Sequence, residues 1–255
     1  MTRATKWLDC SLLALSVLFG VGSVALLAWE GRPTFVPMNW PVSGALAWDA
    51  LLSFLFFLQH SGMVRRSFRA SLAAIVPPRY DGAVYAIASG IALALVVVLW
   101  QPTGLHLLVL DGILRWAATA CSALAIAIFA WSGYALRMFD PLGLRPIWAH
   151  VHDRPVRTAP FVARGPYRCV RHPLYSCVLV LFWCNPDLTA DRLLLDVLWT
   201  AWIYVGAVLE ERDLVADFGE VYREYQRRVP MLVPWRGPVP FETKQVAGVA
   251  GPGGL

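Results

Sequence analysis

The residues of this chain best suited to do chemistry lie between Arg164 and Trp235. That stretch reads R-G-P-Y-R-C-V-R-H-P-L-Y, then two apolar segments folded about Asn185-Pro186-Asp187. It continues with L-E-E-R-D-L and Y-R-E-Y and closes with R-R-V-P-M-L-V-P. Arg164, Arg168 and Arg171 can hold a carboxylate or a phosphate. His172 can donate, accept or exchange a proton near neutral pH. Tyr167 and Tyr175 each offer a ring with a polar tip. Gly165 lets backbone approach a ligand closely. Pro166 and Pro173 stiffen the turn, and Pro173 suits the first turn of a helix. Glu210 and Glu211 stand where the chain leaves the second apolar segment. Carboxylates suit ribose hydroxyls or an ammonium. Adjacent helical residues point about 100° apart, so the two cannot face one ligand equally. One can bind ligand while the other pairs with Arg212 or the basic turn. Taken singly, these arginines are ordinary snorkelling side chains at a membrane boundary. Taken together, at both ends of an apolar hairpin where charge is costly, they mark a site.

The elements that must position these groups are membrane helices. The 255 residues are 58% hydrophobic and 15% charged, against about 45–50% and about 25% for a soluble domain. The pattern predicts an all-α fold, a polytopic transmembrane helix bundle with six crossings. They are Leu8–Ala28, Val42–Leu58, Ala83–Trp100, Ile113–Leu136, Leu174–Cys184 and Leu193–Leu209. The last two form the C-terminal hairpin. Leu174–Cys184 has 11 residues, fewer than the roughly 20 that span a bilayer upright. It must be buried against other helices or begin below the lipid surface. Ser61–Ala74 reads as a short basic surface helix. Glu210–Arg228 reads as a cytoplasmic amphipathic helix, with Leu214, Phe218, Val221, Tyr222 and Tyr225 at helical spacing. Residues 1–236 form one membrane domain, with 161–235 as its motif region. The Gly-, Pro- and Val-rich residues 237–255 read as a disordered tail.

Charge sets the orientation. All of the 22 Lys and Arg except Arg32, Arg115 and Arg192 fall on one side of these crossings. The positive-inside rule then puts both termini and the long Phe139–Arg171 loop in the cytoplasm. The net charge of +5 needs no nucleic acid to explain it; anionic bilayer lipid is the natural partner. Trp7, Trp29, Trp100 and Trp116 sit at span ends, where indole rings favour the interface. The first span is too long an apolar core, without a clear small-residue cleavage site, to read as a cleaved signal peptide. Cys10, Cys121, Cys169, Cys177 and Cys184 form no C-x-x-C pair and read as packing residues, with no metal site.

The run R-G-P-Y-R-C-V-R-H-P-L-Y, the hairpin, E-E-R-D-L, F-G-E-V-Y-R-E-Y and R-V-P-M-L-V-P resemble a known family. It is that of the membrane methyltransferases typified by isoprenylcysteine carboxyl methyltransferase and the bacterial phospholipid methyltransferases. Their pattern is R-H-P-x-Y-x-G, a helical hairpin, then E-E. The likeness covers Phe161–Trp235 and is specific in order and spacing. It implies that Arg164, Gly165, Tyr167, Arg168, Arg171, His172, Pro173, Tyr175, Glu210 and Glu211 bind S-adenosyl-L-methionine from the cytoplasmic side. Phe57-Leu58-Gln59-His60-Ser61 with Met63, Val76-Pro77-Pro78, Trp100-Gln101-Pro102 and Phe139–Arg145 are similar to the NnrU-like branch, which includes methanethiol S-methyltransferases. This implies a small thiol as acceptor, methanethiol giving dimethyl sulfide. Methylation of a prenylcysteine carboxylate or a phospholipid amine stays open, as does a non-enzymatic membrane role, and so does the oligomeric state. A cation near the acceptor would favour the thiolate; Arg171, His172 and Arg228 are candidates, with His60 a further catalytic candidate. One departure is Cys177, which stands where the family has glycine and implies a repacked site. No Gly-rich strand-to-helix loop is present, so the soluble dinucleotide-type methyltransferase fold is not implied.

This reading predicts the outcome of reporter fusions. Fusions after Arg79, Arg157 and Trp235 should report cytoplasm, and those after Arg32 and Asp111 the opposite side. An extracytoplasmic signal at Arg157 would overturn the orientation.

Overall fold

A computed structural model describes residues 3–28, 33–136, 140–155 and 161–240. Trp29, Arg32, Arg137, Phe139, Arg157 and Lys244, together with the tail from residue 241, lie outside the described residues. Among these, the helices in chain order are α1 (Arg3–Ala28), α2 (Val42–Val64), α3 (Arg66–Leu72), α4 (Asp81–Leu99), α5 (Gly112–Ala135), α6 (Leu144–Val151), α7 (Pro173–Trp183), α8 (Ala190–Phe218) and α9 (Glu220–Arg228). Single 3₁₀ turns occupy Pro78–Tyr80 and Gly165–Arg168. Five of these helices are long and apolar enough to cross a membrane: Thr5–Ala28, Val42–Val64, Pro78–Leu99, Gly112–Ala135 and Ala190–Phe218. The remaining expected crossing, the fifth in order, is α7, which has only 11 residues. The chain is an all-α, multi-pass membrane protein. Large apolar side chains such as Leu18, Phe54, Ile113 and Trp116 are exposed on the long helices, as lipid-facing residues must be.

Two boundaries differ from the sequence expectation. Helix α2 runs on to Val64 and breaks at extended Arg65 (ψ 138°), so the surface helix is α3 alone rather than Ser61–Ala74. Likewise α8 does not stop at Glu210 but continues for 29 residues to Phe218. The break falls at Gly219, whose φ of 57° suits glycine, and the amphipathic helix is α9. In both places the helix runs on past the long apolar stretch, because each further residue adds a backbone hydrogen bond at little extra cost.

The described residues pack as two units. The first takes in, of the described residues, 3–28, 33–103 and 140–155. In it α1 lies against α4, and a side chain at Gly90 would run into the backbone of Phe19. Tyr80 donates to the buried Asp9 carboxylate at 2.7 Å. Asp140 caps α6 by accepting the N–H groups of Leu144 and Arg145 at 2.9 and 2.8 Å. Asp49 accepts the Gln101 N–H at 2.9 Å. His60 on α2 meets the Tyr85 hydroxyl of α4, with Nε2 at 2.8 Å.

The second unit takes in, of the described residues, 104–136 and 161–240. It holds α5, α7, α8, α9 and a short antiparallel ribbon of β1 (His106–Val109) and β2 (Asp187–Thr189), with His106 opposite Thr189 and Val109 opposite Asp187. Arg115 forks onto Asp187 at 2.9 and 2.7 Å. Those hydrogen bonds hold the Asp187 carboxyl below its usual range. A helix as short as α7 leaves carbonyls unpaired at its end. Arg192 reaches back from α8 to the carbonyls of Leu181 and Phe182 at 3.3 and 3.4 Å, while its Nε pairs with Asp196 at 3.1 Å. Tyr222, Tyr225, Val229 and Ala163 form the buried core beside the turn before α7, with Phe161, Tyr167 and Phe218 packed on it.

Arg192→Leu should therefore lower stability, because Asp196 is fully buried and would lose its cation. Breaking a buried pair costs roughly 3–5 kcal/mol, and partial exposure of Arg192 brings the expectation to about 2–3 kcal/mol. Thermal unfolding in detergent measures it. The double change Arg192→Leu with Asp196→Leu should recover most of the loss; no recovery would contradict the pairing.

Candidate functional site

The turn that enters α7 is built from strained and stiffened backbone. Gly165 has φ 53°, and a Cβ there would lie 3.3 Å from the Trp131 ring and 3.4 Å from the Ala135 Cβ. Glycine here lets the turn sit close against α5. Pro166 is buried in the 3₁₀ turn and Pro173 is buried in the first turn of α7. From this turn the backbone pairs with the C-terminal segment: Arg171 N–H donates to Pro230 C=O at 2.8 Å and His172 N–H to Met231 C=O at 3.1 Å. Ser176 Oγ–H continues the seam to Leu232 C=O at 2.7 Å.

Side chains complete the closure. Arg171 Nε donates to Glu211 Oε1 at 2.6 Å and Nη2 to Glu211 Oε2 at 3.0 Å. Its Nη1 donates to the carbonyls of Gln226 and Val229 at 3.0 and 2.5 Å. Glu211 also receives Gln226 Nε2 on Oε2 at 2.7 Å and faces His172 Nε2 with Oε1 at 3.1 Å. With an N–H on His172 Nε2, each carboxylate oxygen takes two hydrogen bonds, which fills the roughly four acceptor positions of a carboxylate. Glu211 is thus a support. Its neighbour Glu210 is different. It is 29% exposed, accepts from the Tyr175 hydroxyl at 2.8 Å and has Oε2 3.7 Å from His172 Nδ1. The imidazole of His172 is buried and stacks on Tyr175, with centroids 5.3 Å apart and planes 10° apart. A carboxylate, a phenol and an imidazole nitrogen therefore share one side of the hairpin and suit ribose hydroxyls or an ammonium.

The remaining expected residues are placed as follows. Tyr167 packs on the tyrosine core, and its carbonyl accepts the Tyr225 hydroxyl at 2.5 Å. Burial first, then the nearby Glu210 carboxylate and Cys177, pushes the Tyr167 phenol well above its ordinary pKa. Burial also raises Tyr222 and Tyr225, so all three stay neutral. Arg168 donates to Val239 C=O at 3.1 Å and accepts the Val239 N–H at 2.9 Å, which ties down the first residues of the expected tail. Arg164 is exposed. Arg228 is exposed and paired with Glu224 at 2.5 Å, so the structure does not bring it to the cluster. His60 belongs to the other unit, beside Tyr85. Cys177 is buried in α7. Sequence reading missed Gln226 and the 230–232 carbonyls. Gln226 carried no signal, since a glutamine in a charged helix reads as solvated surface.

Comparison with known proteins gives clear relatives. The chain is 37% identical over 211 residues to a methanethiol S-methyltransferase of Pseudomonas sp., covering 78% of this chain and 76% of that one. It is 34% identical over 194 residues to a methanethiol S-methyltransferase of Crocosphaera subtropica, covering 76% of each. It is 27% identical over 198 residues to nurim of Rattus norvegicus, covering 72% of this chain and 74% of that one. No protein-family model and no solved structure matches it.

The two adjacent carboxylates should respond differently to substitution. Glu211→Ala strands Arg171 in a buried site and should cost on the order of 3 kcal/mol or more, read as a fall in the thermal unfolding midpoint. Glu210→Ala should change that midpoint little. Equal losses from both would contradict the division between a saturated supporting carboxylate and a partly exposed one.

Proposed function

We propose that this chain, which belongs to the methanethiol S-methyltransferase family, methylates methanethiol to dimethyl sulfide with S-adenosyl-L-methionine as methyl donor. The observation that carries the reading is the lock of Arg171 and Gln226 on Glu211, which saturates one carboxylate and leaves its neighbour Glu210 partly exposed beside Tyr175 and His172 Nδ1. This donor set fits the proposed cofactor. The Glu210 carboxylate and the Tyr175 hydroxyl would hold its hydroxyl or ammonium groups. Bound there, S-adenosylmethionine supplies an electrophilic methyl group on a positively charged sulfur. We further propose a bacterial inner membrane, in keeping with the family resemblance, with both termini and this site cytoplasmic, an orientation that the bias of Lys and Arg to one side supports.

The protein's own contribution is positioning and proton handling. Methanethiol is mostly protonated near neutral pH, since a simple thiol has a pKa at or above that of cysteine, about 8.5. Glu211 fixes the Nε2–H tautomer of His172, as a carboxylate does for a general base. Nδ1 is then the nitrogen that can take the thiol proton. Glu210, 3.7 Å away, stabilises the imidazolium that results. A thiolate is intrinsically nucleophilic and needs no covalent help from the chain. Apolar surroundings favour a reaction in which opposite charges disappear.

Purified protein incubated with labelled S-adenosylmethionine should methylate methanethiol, but not a prenylcysteine or phosphatidylethanolamine, as read by headspace gas chromatography and lipid extraction. Glu210→Gln should weaken cofactor binding about tenfold or more, given roughly 1.5–3 kcal/mol for a charge-assisted hydrogen bond. His172→Gln should cut turnover further than it cuts cofactor affinity. A wild type that labels only the lipid acceptors would overturn the thiol assignment and keep the methyltransferase one.

A further inference from the structure

One face of α8 carries two hollows end to end. The lower, about 480 Å³, is lined by Leu179 and Trp183 of α7, Val197, Thr200, Ala201 and Tyr204 of α8, and Leu232. The upper, about 310 Å³, is lined by Val208, Glu211, Arg212 and Val215 of α8 and by Gln226. Positions 197, 200/201, 204, 208, 211/212 and 215 recur every three or four residues, so they form one stripe along the helix. The lower hollow is apolar; its Thr200 hydroxyl is already engaged by the Trp183 indole N–H at 2.9 Å. The upper hollow ends in an exposed cation, Arg212, which makes no hydrogen bond or ion pair among the described residues. The other charge there, Glu211, is already matched by Arg171.

We propose that this stripe is a binding site for one membrane phospholipid, with its phosphate on Arg212 and an acyl chain in the groove between α7 and α8. The dimensions agree. At 1.5 Å per residue, Arg212 to Val197 spans about 22 Å, and half of a bilayer about 40–45 Å thick is also about 20–22 Å. From Arg212 the stripe reaches Ala201, the middle of the Leu193–Leu209 crossing, after about 16 Å and ends near Val197, so its length is close to the reach of one leaflet's lipid. A phosphate meets Arg212 through charge-assisted hydrogen bonds, and the walls below offer an acyl chain apolar contact along its length. A free phosphate would leave the groove empty, and a small thiol would make no use of the cation. The lipid also has a physical consequence for the site. Leu232 lines the groove, and its carbonyl holds Ser176, one turn from His172. A filled groove thus braces the seam on which His172 hangs.

The test uses the full chain in detergent, stripped of lipid, and dioleoyl phosphatidylglycerol, which has no amine to accept a methyl group. Native mass spectrometry should show one lipid retained per chain. Arg212→Gln and Ala201→Trp, which remove the cation and fill the groove, should each weaken retention at least fivefold. Arg223→Gln, an exposed arginine on α9, should not. Dihexanoyl phosphatidylglycerol should bind the wild type at least fivefold more weakly, a comparison that needs no variant to fold. Binding of S-adenosylhomocysteine reports separately on the integrity of the cofactor site. Equal retention of the long and short lipids, or equal losses from Arg212→Gln and Arg223→Gln, would overturn the proposal. So would an Ala201→Trp protein that keeps the lipid but shows a raised KM for methanethiol.

Discussion

The second unit is organised around the pairing of Arg171 with Glu211. One guanidinium binds a carboxylate on α8 and two carbonyls, Gln226 on α9 and Val229 just after it, and it does so from the turn that begins α7. Both side chains are only 10% exposed. Desolvating two charges is expensive, and the attraction between them repays it only when the remaining donors and acceptors are also satisfied. Here they nearly all are, with Gln226 and His172 completing Glu211. Such a pair adds little net stability compared with an apolar core. What it imposes is a single arrangement of three segments far apart in sequence, since any displacement would leave a buried charge unmatched.

The long helix makes that arrangement transmissible. Because α8 runs unbroken from Ala190 to Phe218, the direction in which Glu210 and Glu211 point is fixed by apolar packing deep along the same rod. The short partner α7 must then be held at both ends. Pro173 and the seam with residues 230–232 hold its start, and Arg192 holds its end. An 11-residue helix in hydrocarbon would otherwise expose carbonyls that no lipid can satisfy.

The legible part of this fold was its hydrophobic pattern. Runs such as Leu8–Ala28 and Ile113–Leu136 state their own secondary structure, and the R-H-P and E-E groups lie close because a hairpin must return its ends together. The ends of helices were less legible. Val64 and Phe218 lie past the apolar runs, where only backbone bonding decides. Least legible were pairings with no local cause. The ribbon of His106–Val109 with Asp187–Thr189 joins segments some 80 residues apart in sequence. Arg228 looked as suitable a cation as Arg171, yet it faces Glu224 on its own helix. Gln226, two residues earlier, faces the site. A rotation of about 200° around a helix separates those fates, and a charged helix without an aligned partner does not reveal which face is inward.

The adjacency of Glu210 and Glu211 then has a physical reason. His172 lies between them, with Nε2 3.1 Å from Glu211 and Nδ1 3.7 Å from Glu210. Imidazole nitrogens lie on opposite edges of one ring, and consecutive helical carboxylates diverge by about 100°, so two adjacent acids on a straight helix can address both edges. Acids one turn apart would stack on the same face and compete for one nitrogen. The acid saturated by Arg171 and Gln226 meets the Nε2 edge. The other, which accepts from Tyr175 and lies beside Nδ1, is left partly exposed. An acid pair of this kind is therefore not a duplicated charge: the two positions address opposite edges of the one imidazole that both share.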